Sequence, residues 1–367
     1  MHHTAGESRG RRTVSWLRET KAALGPRVLW SALGAVGLGT AAFATGLSGG
    51  GAPRVFAALI ASWLFFAGMA TGAVAFRAFF RVIKAGWAQP LGALAEAQTS
   101  FLPTASAVLV LIVASAGSAR WIAEPTGWLS PPFLVIRQLV LNAILFGLAY
   151  GWFRNRNEAG PPSVRASVIY LLLFAVVLSV WAFDFVLGPT PNFGSTLAGP
   201  YLFVSAFIAG AGAVILFGVL GGVLSDKQRL DASGLVLTLA IFWAYLFWSQ
   251  YLTIWYANLP DEVEFALRRS VDGWSVVVLA VVLLVFVVPF LGLLRPGGRR
   301  SPRVLVFVLI AQLIGLWLNC VLMIVPSLSQ PGTPPIGVRD LVIALGMLGA
   351  FALSVAPGLR SKRVVAG

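Results

Sequence analysis

The chain has 367 residues, of which 58% are hydrophobic and only 11% are charged, and its formal net charge is +14. This apolar content exceeds what a single soluble core can bury, which excludes an ordinary water-soluble globular protein. With one cysteine, and with histidine only at positions 2 and 3, the chain has no internal disulfide, no cysteine ligand set for an iron–sulfur cluster and no intramembrane histidine for haem.

Ten long apolar runs predict ten membrane-spanning helices, because each run reaches the roughly 20 residues that cross a bilayer. The runs are continuous, whereas the strands of a β-barrel alternate between apolar and polar residues. The spans are predicted near residues 28–48, 54–80, 101–121, 133–153, 167–187, 199–224, 234–256, 274–294, 304–325 and 337–356. The predicted fold class is an all-α, polytopic membrane helix bundle.

Basic residues concentrate in the two tails and in the connectors after the second, fourth, sixth and eighth spans. With ten spans, all of these segments fall on one side, and the positive-inside rule assigns that side to the cytoplasm. The predicted organisation is a cytoplasmic segment 1–27, a transmembrane domain 28–356 and a cytoplasmic tail 357–367. The positive charge is thereby explained by membrane topology, and no nucleic-acid partner is predicted. The connector 81–100 is expected to be a longer polar segment on the cytoplasmic side.

Ionisable residues within or beside the spans are few, and each is a functional candidate because a charge in hydrocarbon is costly. Arg77 and Glu96 lie near the inner side, and Arg77 is expected to extend its charge toward the interface. Arg137 and Asp184 lie near the outer side. Asp184 stands about one turn before a proline-marked helix end, which suits either a proton acceptor or a capping or pairing residue. Asp340 begins the last helix, where an acidic residue suits the helix dipole. A capping role is therefore expected for Asp340, with a functional role as the alternative.

The seventh span carries an unusual number of polar side chains in its outer half. They are Tyr245, Ser249, Gln250, Thr253, Tyr256 and Asn258. Four of them recur at spacings of three or four and therefore share one face of the helix. We expect this face to point into the protein. It suits either hydrogen bonds between helices or a path for protons or a quinone headgroup.

Pro260 stops this helix, and an acidic turn follows it. The turn contains Asp261, Glu262 and Glu264, and the connectors of the outer side offer few basic partners for them. The acidic turn is therefore predicted to contact a neighbouring subunit.

The stretch SQYLTIWYANLPDE, residues 249–262, resembles a signature of the NrfD/polysulfide reductase membrane-subunit superfamily. The likeness is to the ActF-type subunit of alternative complex III, a quinol:cytochrome c oxidoreductase. Two other stretches are similar to segments of that family. They are FDFVLGPTPNFGSTLAGPYLFVSAFIAG, residues 183–210, and WAQPLGALAEA, residues 87–97. The resemblance extends over roughly residues 85–355.

This resemblance implies a multi-pass protein of the bacterial inner membrane. Its partners are expected to be iron–sulfur and cytochrome c subunits, a paralogous membrane subunit and membrane lipid. The chain itself is expected to be a non-haem subunit that binds no metal and no cofactor, with quinol as the substrate class of the complex.

The resemblance also selects residues. Asp184 and Glu96 stand where the family has its aspartate and glutamate, and they are the candidate catalytic groups. Asn192 joins the polar residues of the seventh span as a candidate for the quinone or proton path. The chain departs from the family pattern in two places, since Asn192 and Phe193 replace a His-Trp pair and no arginine lies between Trp87 and Glu96.

The sequence leaves two alternative functions open. One is a structural subunit that has lost its own quinone site, which the two departures favour. The other is a proton-coupled secondary transporter, for which ten spans with buried polar residues are also suitable. The 249–262 motif favours the respiratory subunit over the transporter.

Overall fold

The computed structural model describes residues 4–48, 51–116, 122, 127–153, 162–190, 193–330 and 332–363. Within these residues the regular structure is helical, and ten helices are long and apolar enough to cross a membrane. Numbered α1 to α10, they are Gly25–Gly46, Ala52–Val82, Gly86–Ala114, Pro131–Trp152, Val164–Leu187, Ala198–Leu220, Asp226–Ala257, Trp274–Leu294, Pro302–Leu328 and Val338–Leu359. The predicted fold class of ten apolar helices is confirmed.

The first and last spans pack against each other in opposite directions. A Cβ placed on Gly39 of α1 would lie 2.7 Å from the Cα of Gly346 in α10. Gly349, further along α10, lies against Ala32, which comes earlier in α1. The start of α1 and the end of α10 are therefore on the same side of the bundle, here called the terminal side. The opposite side is called the distal side.

The second span, α2, is the central helix of the bundle. Its most apolar stretch is completely buried, and it packs against α5, α6, α9 and α10. The contact with α6 depends on Gly72 and Gly210, because a Cβ on either glycine would overlap the backbone of the facing helix. Small residues of this kind let membrane helices approach closely.

The third span begins earlier than predicted, at Gly86. The segment before Leu102 consists of three short helical pieces, Gly86–Leu91, Gly92–Gln98 and Thr99–Phe101. The prediction of a polar connector is wrong for the second half of this segment, because Glu96, Gln98 and Thr99 are buried against α2 and α10. Gln89, in the first half, is exposed.

The terminal segments continue the first and last helices. The helix Thr4–Gly46 is broken only at Gly25, which has a φ of 75° and is followed by Pro26. The last helix continues to Arg363. A proline one residue after a left-handed glycine explains the break, since neither residue supports a straight helix at that point.

The seventh span has well-defined ends. Ser225 and Gln228 form a reciprocal capping box, in which the Gln228 N–H donates to the Ser225 hydroxyl and the Ser225 N–H to the Gln228 side chain. At the other end Asn258 adopts a left-handed conformation with a φ of 49°. A short helix, Pro260–Leu267, follows on the distal side where the sequence predicted a turn.

Candidate functional site

Asp184 lies in a π-helical turn, Ala182–Leu187, at the distal end of α5. Arg137 of α4 donates to both carboxylate oxygens, from Nη2 to Oδ1 at 2.7 Å and from Nε to Oδ2 at 3.1 Å. Trp128 donates its indole N–H to Oδ1 at 2.8 Å, and Gln138 donates its amide to Oδ2. The carboxylate is fully buried and accepts four hydrogen bonds, which occupies the positions that it offers.

Arg137 is held from several directions. Its guanidinium carbon lies 3.9 Å from the centroid of the Trp128 ring, and its Nη1 donates to the Trp128 carbonyl at 3.0 Å. Phe133 lies on another side, at 4.6 Å from ring centroid to guanidinium. Bidentate pairing with Asp184 and stacking on aromatic rings both favour arginine over lysine at this position.

A polar chain continues from this cluster along α4 toward the middle of the bundle. Asn142 donates to the Gln138 side-chain oxygen at 3.1 Å and to its carbonyl at 2.7 Å. The Oδ1 of Asn142 is buried and accepts no hydrogen bond from the described residues. The structure therefore places an interior row of polar groups on α4, next to Asp184.

Glu96 occupies the terminal side of the bundle. It forms an ion pair with Arg77 of α2, and its side chain is fully buried while that of Arg77 is 12% exposed. Arg77 also donates from Nη1 to the Gly92 carbonyl at 3.2 Å. The expectation that Arg77 extends its charge to the interface is wrong, because a buried carboxylate lies within its reach. Glu96 and Asp184 thus lie on opposite sides of the bundle.

A third ion pair closes the distal side between α2 and α10. Arg54 donates from Nε to Oδ1 of Asp340 at 3.3 Å. The other carboxylate oxygen of Asp340 accepts from the backbone N–H of Gly337, just before α10, at 2.8 Å. The predicted capping role of Asp340 is confirmed.

The predicted polar face of α7 points away from the bundle. Tyr245 is 63% exposed and Tyr256 is 84% exposed, while Thr253 is exposed and Ser249 is partly buried. The hydroxyls of Ser249 and Thr253 donate to carbonyls of their own helix. The residues of α7 that pack inward are mainly apolar and include Ala240, Trp243, Leu246 and Ile254. The prediction that the polar face points into the protein is therefore wrong.

The remaining predicted residues lie near the distal surface. Asn258 is the helix-ending residue of α7, and Glu262 is partly buried on the short helix. Glu264 pairs with Arg268 at 2.6 Å, so the expected lack of a partner does not hold for this carboxylate. Asn192 and the side chain of Asp261 lie outside the described residues.

A pocket of about 280 Å³ opens in the distal half of the bundle, between the ends of α5 to α9 and the short helix Pro260–Leu267. Its walls are largely apolar. Phe193 and Phe265 stack at one side of it, with ring centroids 3.8 Å apart. Gln250 and Tyr251, both from the 249–262 motif, also line it.

The polar groups that lie deepest in this pocket include residues of α6, α7 and α9 and of the loop before α6. Tyr201 of α6 donates its hydroxyl to Oδ1 of Asn319 in α9 at 2.6 Å. The Nδ2 of Asn319 is buried and has no hydrogen-bond partner among the described residues. Ser195, in the loop before α6, donates to Oε1 of Gln250. The pocket thus combines an apolar wall with two side-chain amides.

Arg269 lies at the distal rim of the pocket. It donates to the carbonyls of Leu322 at 3.0 Å, Met323 at 2.7 Å and Phe265 at 2.8 Å, and its guanidinium carbon is 3.3 Å from the centroid of the Phe265 ring. Burial, together with the neighbouring Arg268, lowers the pKa of Arg269 to about 9. The side chain therefore stays protonated at neutral pH.

Sequence reasoning missed several residues that the structure brings into these sites. Gln138 and Asn142 carry a usable signal, since they are amides inside an apolar run beside Arg137. Asn319 and Tyr201 carry a weaker signal of the same kind. Arg269 carries none, because it looks like any basic residue of a connector until α9 is packed against it.

Ten apolar helices, one of which is buried at the centre of the bundle, define a polytopic helical membrane protein. Across the described ranges, no group of three or more His, Cys, Asp or Glu side chains is placed to hold a metal ion.

Comparison with known proteins finds no family model that matches the chain and no curated protein that matches it.

Proposed function

We propose that this chain is a non-haem membrane subunit of a quinol-oxidising respiratory complex in the bacterial cytoplasmic membrane, similar to the ActF-type subunit of alternative complex III. In this role it anchors iron–sulfur and cytochrome c subunits beside a paralogous membrane subunit. The resemblance of residues 249–262 and 183–210 is the sequence support for this assignment.

The observation that carries the proposal is the position of Tyr245. At 1.5 Å per residue it lies about 18 Å from the distal end of α7, near the middle of a hydrocarbon core about 30 Å thick. Its ring is 63% exposed, and no other described residue hydrogen-bonds its hydroxyl. A hydroxyl facing lipid at this depth is unfavourable, and a neighbouring membrane helix that bonds it removes the cost.

The surface around Tyr245 has the composition of a protein interface. Aromatic residues are enriched where proteins bind each other tightly. The exposed aromatic residues of α7 are Phe242, Tyr245, Trp248, Tyr251, Trp255 and Tyr256. At the distal end this aromatic face continues into the short helix that carries Glu262 and Glu264. The aromatic face suits a membrane partner, and the acidic short helix suits a partner outside the bilayer.

The proposed chemistry uses the two buried carboxylates. Oxidation of a quinol to a quinone releases two protons and two electrons, and the electrons go to the iron–sulfur partner. In the proposal, Asp184 accepts the two protons one after the other on the distal side when its pairing with Arg137 opens, and it passes the first on before it accepts the second. Gln138 and Asn142 extend the proton path from Asp184 toward the middle of the bundle. Glu96 is the proton-accepting group on the terminal side. This path replaces the one first expected along α7.

A second candidate is a structural subunit without its own quinone site. The observation that favours it is the complete pairing of Asp184, whose carboxylate already accepts four hydrogen bonds. In this role Asp184 and Glu96 hold helices together, and proton transfer takes place in another subunit.

Purification of the tagged chain from its native membranes tests both candidates. Absorbance spectra of the eluate report haem and iron–sulfur partners, and quinol oxidation is measured on the complex together with its yield. For an essential general base, the Asp184→Asn, Glu96→Gln double variant should lose about 10²–10⁴-fold of the rate per assembled complex. The yield is measured in parallel, because each substitution leaves an arginine without its carboxylate partner. Asp226→Asn, at an exposed carboxylate, is the control and should keep full activity.

Three outcomes separate the possibilities. Lost oxidation in an intact complex supports the quinol-linked role. Full oxidation by the double variant, with normal assembly, assigns the chain to the structural class. An eluate that contains no redox partner contradicts both candidates.

A further inference from the structure

The pocket between α6, α7 and α9 contains a buried hydrogen-bond donor that has no acceptor. Asn319 is 1% exposed, its Oδ1 accepts from Tyr201, and its Nδ2 is without a partner among the described residues. An unpaired buried amide is costly, and native proteins contain few of them. Because Asn319 lines a cavity of about 280 Å³, there is room beside it for a molecule that brings the missing acceptor.

The depth of Asn319 limits what can reach it. At 1.5 Å per residue it lies about 14 Å from the distal end of α9, well inside the hydrocarbon core. The wall around it is mostly apolar, with Phe247, Val278 and Leu322 among its residues. A molecule that occupies this space is therefore apolar over most of its surface and soluble in the membrane.

A second amide lies in the same pocket. Ser195 donates to Oε1 of Gln250, and this contact leaves the amide N–H₂ group of Gln250 as another donor at the wall. Donors on α7 and α9 can thus serve acceptor oxygens of one ligand. A single water is a poor fit, because an ordered buried water makes about three hydrogen bonds and these walls are largely apolar.

We infer that this pocket binds a membrane-soluble molecule with an apolar body and a carbonyl oxygen that accepts a hydrogen bond from Nδ2 of Asn319. Two kinds of molecule share this chemistry, namely a lipid-tailed ring ketone such as a quinone and the ester carbonyl of a glycerolipid. The inference does not depend on the proposed role in a respiratory complex, since it concerns the isolated chain.

Binding to the purified full-length chain in detergent tests this inference. The probes are a decyl-tailed 1,4-benzoquinone and a dihexanoyl phosphatidylglycerol, each titrated by calorimetry. Asn319→Leu removes the donor at similar volume. It should lower the affinity for the bound probe about tenfold or more, and each factor of ten corresponds to about 1.4 kcal/mol of binding free energy. Gln98→Leu is the matched control, because it removes a buried amide that lies outside the pocket and bonds no other described residue, and it should leave the affinity unchanged.

A second variant covers the case in which Asn319→Leu does not fold. Ala266→Trp fills the pocket from the short helix, leaves the Tyr201 and Asn319 contact in place, and should also abolish binding. Preference for the benzoquinone identifies a ring ketone, and preference for the glycerolipid identifies an ester carbonyl. The inference is overturned if neither probe binds, if Ala266→Trp binds as well as the unmodified chain, or if Gln98→Leu loses as much affinity as Asn319→Leu.

Discussion

Arg269 donates a hydrogen bond to the carbonyl that Pro326 leaves without a partner. In a regular helix the Leu322 carbonyl accepts from the N–H of residue 326, but proline has no N–H. The Nε of Arg269 supplies the missing donor at 3.0 Å. Arg269 lies just after the short distal helix, and this bond fixes that segment to α9. The acceptor is free to bond it because of Pro326, which is in α9 itself.

The same arrangement recurs at α8. Pro289 cannot donate to the carbonyl of Val285, and Nε2 of Gln312 in α9 donates to it instead at 3.3 Å. In a bilayer no water is at hand to satisfy such a carbonyl, so a neighbouring helix must provide the donor. Both prolines therefore fix the packing of α9 against its neighbours.

Replacement of Arg269 by methionine should destabilise the protein by about 1–3 kcal/mol, because the Leu322 and Met323 carbonyls lose a buried donor. Adding Pro326→Ala should restore part of the loss, since alanine returns an N–H to the Leu322 carbonyl. Unfolding midpoints in detergent measure both effects. Arg268→Met is the control, because its exposed pair with Glu264 contributes at most about 1 kcal/mol. Equal losses at positions 268 and 269 would contradict this account.

The pairing of Asp184 with Arg137 should show strong coupling. Either Asp184→Leu or Arg137→Met alone leaves an uncompensated buried charge and should cost about 3–5 kcal/mol. The double variant removes both charges and should cost less than the sum of the single losses. A double-mutant cycle on thermal or denaturant unfolding measures the coupling, and simple additivity would show that the pair does not interact.

Gly72 should not tolerate a side chain. A methyl group there would overlap the backbone of Ala206 in α6, so Gly72→Ala should lower stability by about 1–3 kcal/mol through overpacking. Gly147→Ala serves as the comparison, because no atom lies within 4 Å of a Cβ at that exposed position. Its stability should stay the same or rise slightly. A neutral Gly72→Ala would mean that α2 and α6 pack less closely than described.

A cysteine at position 245 should cross-link to another membrane protein. The chain suits this experiment, because its single cysteine, Cys320, is buried, and a Cys320→Ala background removes it. In native membranes a bifunctional reagent on Tyr245→Cys should give a protein adduct in high yield. Leu172→Cys, equally exposed on α5, is the lipid-facing control. Similar yields at both positions would remove α7 as the specific contact face.

Membrane topology is open to a direct test. The one-sided distribution of basic residues predicts that both termini are cytoplasmic. Alkaline phosphatase, which is active only outside the cytoplasm, should be inactive when fused after Gly367 and active when fused after Gln330. The opposite pattern would reverse the assigned orientation.

The number of spans and the fold class followed from the sequence, because about 20 consecutive apolar residues is a local property that needs no knowledge of neighbours. The capping role of Asp340 was predictable for the same reason, since its partner Gly337 is three residues away. The start of α3 was missed, because burial of Glu96 depends on Arg77 in another helix.

The orientation of α7 was decided only by the tertiary structure. Lipid-facing and core-facing residues of a membrane helix are both apolar, so hydropathy does not show which face packs inward. Aromatic and hydroxyl groups suggested an interior face, yet Tyr245 and Tyr256 lie outside. The contacts that fix the sites join residues far apart in sequence, 47 positions for Arg137 and Asp184 and 53 for Arg269 and Leu322. Such pairs exist only once the helices have assembled, because no local pattern brings the partners together.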